Sequence, residues 1–435
     1  MKFIGKNAVV YGAGASGLSA YQLLREKGAK AIIYDDNPDV VGATDSIGVL
    51  SSADIIVLSP GVDGTKDFLL DAKLENKIVI GELELAAECC LAEMIAITGT
   101  NGKTTTTMLI DSILRRAGKS SYAVGNIGTP FTSIADKLDA TDIAVIEASS
   151  FQLESSIKFS PDTAVILNIK PDHLERHGSL EKYAAAKANI FLNQGEQDYI
   201  VYNADDEIIC GFIPQMAAKK IPFSTTRPIK GGAYVSSGFI CFDGQPILSL
   251  EETDMRGAEI ENLLATVCVC MIHGVSVYNI ASGIIEFERP KYRRQNCGNL
   301  GDICVYNDSK STNVSACISA CKSIEGDCVL ILGGAKRNED FNDLFRELPS
   351  HIKAVTVSGE NTADILNCAR NAGFENIIAY DDIKSALRGA YDIARAKGYK
   401  NILFSPSSKS YDKFNGYEMR GKHFDACFNA LRLEV

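Results

Sequence analysis

The sequence predicts an α/β protein of three domains built on mostly parallel sheets, and three observations predict it. The chain has 435 residues, too many for one ordinary core. Short apolar runs recur along its whole length, each followed by a glycine- or hydroxyl-rich turn and then by a helical pattern, which is the cadence of parallel sheets. Two of the turns, at 12–17 and 99–104, carry glycines spaced so that backbone N–H groups can close on a phosphate at a helix N-terminus.

Composition narrows the class. Apolar residues make up 46% of the chain, and 44 basic residues stand against 55 acidic ones for a net charge of −11. That balance argues against a nucleic-acid or anionic-membrane partner, although local N–H groups can still hold a nucleotide. Thirteen cysteines, scattered without metal-ligand spacing, read as reduced thiols. The first residues begin like a secretion signal, yet Gly5, Gly12, Gly14 and Gly17 fall where its apolar core would lie, so a strand and loop are expected. No apolar run reaches the roughly eighteen residues of a membrane span. The expected protein is soluble, cytoplasmic and monomeric, acting on small molecules.

The elements follow in order. Residues 7–11 read as a buried strand, followed by Gly12-Ala13-Gly14-Ala15-Ser16-Gly17, a helix over 18–27, and a second strand over 31–34 that ends at Asp35. This is a dinucleotide-type fingerprint and predicts a Rossmann-like N-terminal domain over 1–91. It suits a nicotinamide cofactor or another diphosphate, such as a nucleotide sugar, and the later phosphate loop favours the second. A strand over 55–58 then runs into Ser59-Pro60-Gly61, a further loop at the carboxyl end of a strand, where open α/β sheets bind ligands.

The central domain, 92–290, is expected to be P-loop ATPase-like with a parallel sheet. An apolar run at 94–97 leads to Thr98-Gly99-Thr100-Asn101-Gly102-Lys103-Thr104-Thr105 and then to an amphipathic helix. The glycines permit a tight phosphate cradle, Lys103 supplies a charge for the outer phosphates, and Thr104 offers a hydroxyl to Mg2+. The full eight-residue motif would place glycine at 97, where this chain has Ile97. Asn126 lies in a turn-rich piece able to offer N–H groups and an amide. A strand over 143–146 delivers Glu147, a natural Mg2+ ligand beside a phosphate loop, and a strand over 163–169 leads to Asp172-His173. Residues 183–191 are helical by propensity, which makes Lys187 a surface lysine on that ground alone. A β-rich stretch covers 221–250, and a helix with Asn262 covers 260–271.

The C-terminal domain, 291–435, is expected to be Rossmann-like. Strands at 303–306, 329–332, 354–357 and 401–404 lead respectively to Asp308-Ser309-Lys310-Ser311-Thr312-Asn313, to Gly333-Gly334, to Ser358-Gly359, and to Ser405-Pro406 with Ser410.

Together these segments resemble the Mur ligase family over essentially the whole chain, and within it the D-glutamate-adding members. The carriers are Gly99 to Thr106, Glu147-Ala-Ser-Ser-Phe-Gln-Leu153, Asp172-His173, Asp308 to Asn313, and the run from Ser405 through Ser410, Asp412, Phe414 and Tyr417 to Arg420-Gly421. The resemblance implies ATP-dependent amide formation between D-glutamate and UDP-N-acetylmuramoyl-L-alanine through an acyl phosphate, in peptidoglycan precursor synthesis. It implies ATP at residues 99–105 with Asn262, Arg293 and Asp308, and Mg2+ at Thr104, Glu147 and His173. Lys103, Glu147, His173 and Lys187 would be catalytic, with Lys187 carbamylated. Gly14, Ser16, Gly17, Asp35, Ser59, Gly61 and Asn126 would hold the UDP substrate, and Lys310, Thr312, Arg337, Ser410 and Tyr417 the D-glutamate. The chain departs from the family pattern at Ala258-Glu259, where His-Asn is usual, at Tyr292-Arg293, where His-Arg is usual, and at Arg337, which aligns with a lysine. Two other readings fit parts of the chain: an amino-acid ligase of another Mur or folylpolyglutamate type, and a nicotinamide oxidoreductase.

Overall fold

Period-two alternation organises the first sheet. Ala8 and Val10 on one face of the strand Asn7–Tyr11 pack into one buried cluster, while Val9 and Tyr11 on the other face pack into a second. A strand apolar on both faces needs cover on both sides, which crossover helices of a parallel sheet provide. The computed structural model describes residues 3–64, 66–75, 77–336 and 341–435. Among them the fold is mixed α/β with three parallel-rich sheets, and the chain divides into two compact units.

The first unit, Met1–Asp254 with Ile260–Phe287, holds two sheets. In the smaller, β1 (Asn7–Tyr11), β2 (Lys30–Tyr34), β3 (Ile55–Leu58) and β4 (Ile78–Gly81) lie in the order β2-β1-β3-β4, all parallel. The larger comprises β5 (Glu93–Thr98), β6 (Ser120–Gly125), β7 (Asp142–Glu147), β8 (Thr163–Ile166), β9 (Tyr199–Asn203), β10 (Lys219–Ser224), β11 (Ala233–Ser236), β12 (Phe239–Phe242) and β13 (Gln245–Ser249). Their order is β13-β12-β11-β10-β9-β8-β5-β7-β6, parallel except where β12 pairs antiparallel with β11 and β13. The chain leaves β5 for the sheet edge, returns as β7 on one side of β5, then crosses to β8 on the other. Two strand-end loops therefore flank the loop that leaves β5, and that arrangement positions the site.

The second unit, Met255–Glu259 with Glu288–Val435, holds β14 (Gln295–Leu300), β15 (Ile303–Asn307), β16 (Cys328–Leu332), β17 (Ile352–Val357), β18 (Ile377–Ala379) and β19 (Asn401–Phe404). Their order is β14-β15-β19-β16-β17-β18, and only β14 with β15 is antiparallel. The register pairs Asn307 with Phe404, so the loops after β15 and β19 emerge side by side.

All thirteen cysteines are free thiols. Among the described residues no helix is long and apolar enough to cross a membrane.

Candidate active site

The loop after β5 is shaped by its glycines and held by its neighbours. Gly102 caps the helix Lys103–Arg116 in the left-handed region, with φ of 87°. A Cβ there would meet Asn262 Oδ1 at 2.0 Å, so the position requires glycine for conformation and for space alike. Asn168, at the exit of β8, accepts from Thr100 N through its carbonyl and from Asn101 N through its side chain, each at 2.9 Å. Lys170 N donates to Thr100 Oγ1, as does the Tyr183 hydroxyl. Thr105 is buried in the first helical turn.

Five candidate side chains gather at this loop. Lys103 Nζ donates to Gly99 O at 2.7 Å and Thr100 O at 2.9 Å. Thr104 Oγ1 donates to Glu147 Oε2 at 2.5 Å, and Asn126 Nδ2 donates to Glu147 Oε1 at 2.9 Å. Glu147 is only 3% exposed. Lys187 is not on the surface, as helix propensity alone suggested: it is 1% exposed, donates to Gly99 O at 2.8 Å and sits over the Tyr183 ring. Tertiary packing of the helix Leu180–Ala188 against the loop overrides the exposed reading. Burial, seconded by the Lys103 charge, holds the Lys187 ammonium well below the usual lysine range, against the opposing pull of Asp172 and Glu147.

His173 adopts φ of 54°, lies within 4 Å of the Asp172 and Glu175 carboxylates, and packs its ring edge on Phe151. Its neighbour His177, which the sequence reading passed over, is buried within 3.1 Å of Ser150 Oγ and stacks on Phe151. Burial lowers its pKa, which favours the neutral ring. Asn168, Tyr183 and Gln152 were likewise unassigned, although Asn168 lies at a strand exit and Gln152 within the segment 147–153 that carries the resemblance. Among the described residues no three His, Cys, Asp or Glu side chains gather to hold a metal. The donor set at Thr104 and Glu147 is instead a hydroxyl and a carboxylate, hard oxygens suited to Mg2+, which keeps several waters and phosphate oxygens as its other ligands.

In the first sheet, Asp35 closes the glycine loop: its Oδ2 accepts from Ala13 N at 2.8 Å and its Oδ1 from Asn37 N at 3.0 Å. Ser59 Oγ donates to Gly12 O. A Cβ on Gly17 would lie 1.8 Å from Gly12 O, so this glycine allows helix and loop to touch. Gly14 and Gly61 are exposed at the strand ends and Ser16 is half-buried.

In the second unit, Ser405 Oγ donates to Asp308 Oδ2 at 2.8 Å and Arg294 N donates to Oδ1 at 3.0 Å. Burial nevertheless pushes the Asp308 carboxyl up to about 7, with the Arg293 and Arg294 charges opposing. Lys310 Nζ sits 4.3 Å from the centre of the Tyr417 ring, Ser410 is buried and Thr312 is half-buried. Arg420, 1% exposed, donates to the carbonyls of Ser408 and Ser309 and so ties the two loops together. Arg337 lies outside the described residues. Two of the departures from the family pattern, at Glu259 and Tyr292, acquire a local account. Glu259 pairs with Arg289 and Arg294, and the Tyr292 ring fills the space above Gly421.

Comparison with known proteins follows the same lines. Residues 97–267 match the Mur ligase middle domain. UDP-N-acetylmuramoylalanine–D-glutamate ligases from Clostridioides difficile and Pelotomaculum thermopropionicum are similar at 34% and 36% identity, covering 99% of this chain and 100% and 99% of theirs. Among solved structures, UDP-N-acetylmuramate–alanine ligase from Thermotoga maritima is similar with a TM-score of 0.61 at 17% identity, covering 98% of this chain and 99% of that one. MurF ligase from the same organism in complex with ADP has the same score and identity, covering 99% and 96%. With its phosphate loop, Glu147 and full-length similarity to curated members, the chain belongs to the Mur ligase family.

Proposed function

We propose that this chain is an ATP-dependent ligase that joins D-glutamate to UDP-N-acetylmuramoyl-L-alanine, forming an amide and releasing ADP and phosphate. The convergence of Lys103, Thr104 and Glu147 on one phosphate loop carries the reading, and the names of the relatives that span the chain supply its substrates.

A carboxylate and an ammonium do not condense in neutral water. The L-alanyl carboxylate therefore first takes the γ-phosphoryl group of ATP; the amine of D-glutamate then attacks the acyl carbon, and phosphate leaves the tetrahedral intermediate. The protein contributes alignment and charge. Backbone N–H groups of residues 99–104 receive the phosphates at the helix N-terminus, and Lys103 exchanges its carbonyl partners for phosphate oxygens. Thr104 and Glu147, with His173 by the family pattern, would hold Mg2+, which when bound neutralises phosphate charge and acts as a Lewis acid. Lys187 has the burial a carbamate requires: its neutral amine adds to CO2 and loses a proton, leaving an anion.

In this reading residues 1–91 and 291–435 are Rossmann-like domains and 92–290 the P-loop ATPase-like domain. Gly14, Ser16, Gly17, Asp35, Ser59, Gly61 and Asn126 serve the UDP substrate. Lys310, Thr312, Ser410, Tyr417 and Arg337 serve D-glutamate. Asn262, and in the second unit Arg293 and Asp308, are nucleotide ligands by the family pattern. The test is an amino-acid panel assayed for phosphate release with UDP-N-acetylmuramoyl-L-alanine as acceptor. D-Glutamate should be required; equal turnover with another amino acid, or none with any, would overturn the assignment.

A further inference from the structure

The junction between the two sheets of the first unit is built onto the segment that follows Glu147. Gly81 N, at the end of β4, donates to Ser155 O at 3.0 Å. The next residue, Glu82, is 2% exposed, and its Oε1 accepts from Gln152 Nε2 at 2.7 Å. Gln152 is itself buried and uses its other amide atom locally: Oε1 accepts from Ser149 N at 2.9 Å and from Ser149 Oγ at 3.0 Å, while Ser149 Oγ accepts from Gln152 N. That reciprocal capping box starts the helix Ser150–Glu154 three residues beyond Glu147. A primary amide has one acceptor and one donor end. With the acceptor end committed to Ser149, the orientation of Gln152 is decided by what takes its donor end, and that is Glu82.

We propose that Glu82 is a positioning residue for the phosphate-transfer site, holding Gln152 and through its capping box the turn that aims Glu147 and Ser150. One consequence runs to each side of the turn. On one side Glu147 meets Thr104 and Asn126; on the other Ser150 Oγ meets His177. Glu84, two residues on, supplies an internal comparison. It is equally buried, but its carboxylate accepts only the backbone N–H groups of Ile157 and Lys158 among its described partners, beyond the helix and away from the turn. Both glutamates secure the junction, whereas Glu82 alone has a side-chain route toward Glu147. Supporting residues behind a metal-binding carboxylate typically alter metal affinity ten- to hundredfold when removed.

The proposal rests on the reading of Glu147 as a Mg2+ ligand, and the experiment separates the two. Full-length parent, E82A, E82Q, E84A, Q152M and E147Q are compared by amide hydrogen exchange without ligand and by Mn2+ titration with a non-hydrolysable ATP analogue, followed by electron paramagnetic resonance. In E82A the amides of residues 149–153 should exchange at least tenfold faster, and the Mn2+ dissociation constant should rise roughly ten- to hundredfold. E82Q retains an acceptor for Gln152 and should stay within about twofold of the parent by both measures. E84A should lose thermal stability without moving the Mn2+ curve. Should E82A not fold, Q152M, which deletes the amide and leaves Glu82, carries the same expectation. Unchanged exchange in E82A or Q152M, or an E84A shift as large as that of E82A, overturns the proposal. Parental Mn2+ affinity in E147Q would instead overturn the metal reading, leaving the exchange result to judge the relay alone.

Discussion

Lys103 and Lys187 donate to the same acceptor, the carbonyl oxygen of Gly99, at 2.7 and 2.8 Å. Two ammonium groups on one oxygen repel each other. Burial first and the Lys103 charge second hold the Lys187 pKa well below the usual lysine range, which favours its neutral amine.

Lys103→Ala should abolish turnover while leaving the fold intact. In the proposed mechanism the lysine acts on transferring phosphate charge, and loss of one such preorganised contact costs on the order of a hundredfold or more in rate. Phosphate release and thermal melting measure the two halves. Near-parental release would remove the loop from the mechanism.

Lys187→Ala should be impaired and partly rescued by acetate, a small carboxylate able to occupy the vacated space. In the parent, carbon-13 NMR with labelled bicarbonate should show a carbamate resonance absent from the variant. Absence of both rescue and resonance would leave Lys187 as a structural amine.

Asp308 predicts a pH effect on stability. Its folded pKa, about 7, lies above the ordinary value of about 3.9. The folded state therefore binds the extra proton, and the stabilisation is fully present below about pH 4 and lost as pH rises through 7. Between pH 5.5 and 8.5 this group should cost on the order of 2 kcal/mol. Asp308→Asn should flatten that dependence in urea titrations; an unchanged slope would show that another group sets it.

Gly17→Ala should disturb the glycine loop of the first sheet, because its new methyl would lie 1.8 Å from Gly12 O. We expect at least a tenfold rise in KM for the UDP substrate with little change in KM for ATP. Reversal of that pattern would move the acceptor away from the first sheet.

Arg337→Ala should raise the D-glutamate KM roughly tenfold to hundredfold, as expected for loss of a charge-assisted contact of ~1.5–3 kcal/mol. The KM for ATP should hold. An effect on ATP alone would assign the residue to the nucleotide.

Strand-end loops were legible in the sequence because glycine and hydroxyl residues punctuate apolar runs, and their chemistry is local. The strands at 55–58 and 401–404 coincide with β3 and β19. Contacts made over long separations were not legible. Nothing in Tyr183-Ala-Ala-Ala-Lys187 says that its lysine reaches a carbonyl 88 positions earlier, and nothing near Glu82 points to Gln152, 70 positions later. Arg420 belongs with them. A charged residue on a helix reads as exposed until the carbonyls of another loop surround it.

The crossing of the chain from one side of β5 to the other has a consequence for synthesis. Residues 99–104 leave the ribosome early, yet their framework arrives in instalments: the Thr104 partner 43 positions later, the Asn101 partner 67 later, the lysine on Gly99 88 later. A nascent chain halted before Asn168 already has Glu147 for Thr104 but lacks the Asn168 and Lys187 contacts on Asn101 and Gly99. Long-range pairings form late because chain closure must come before they contribute. The final shape of residues 99–104 is thus expected to form late in the birth of this unit.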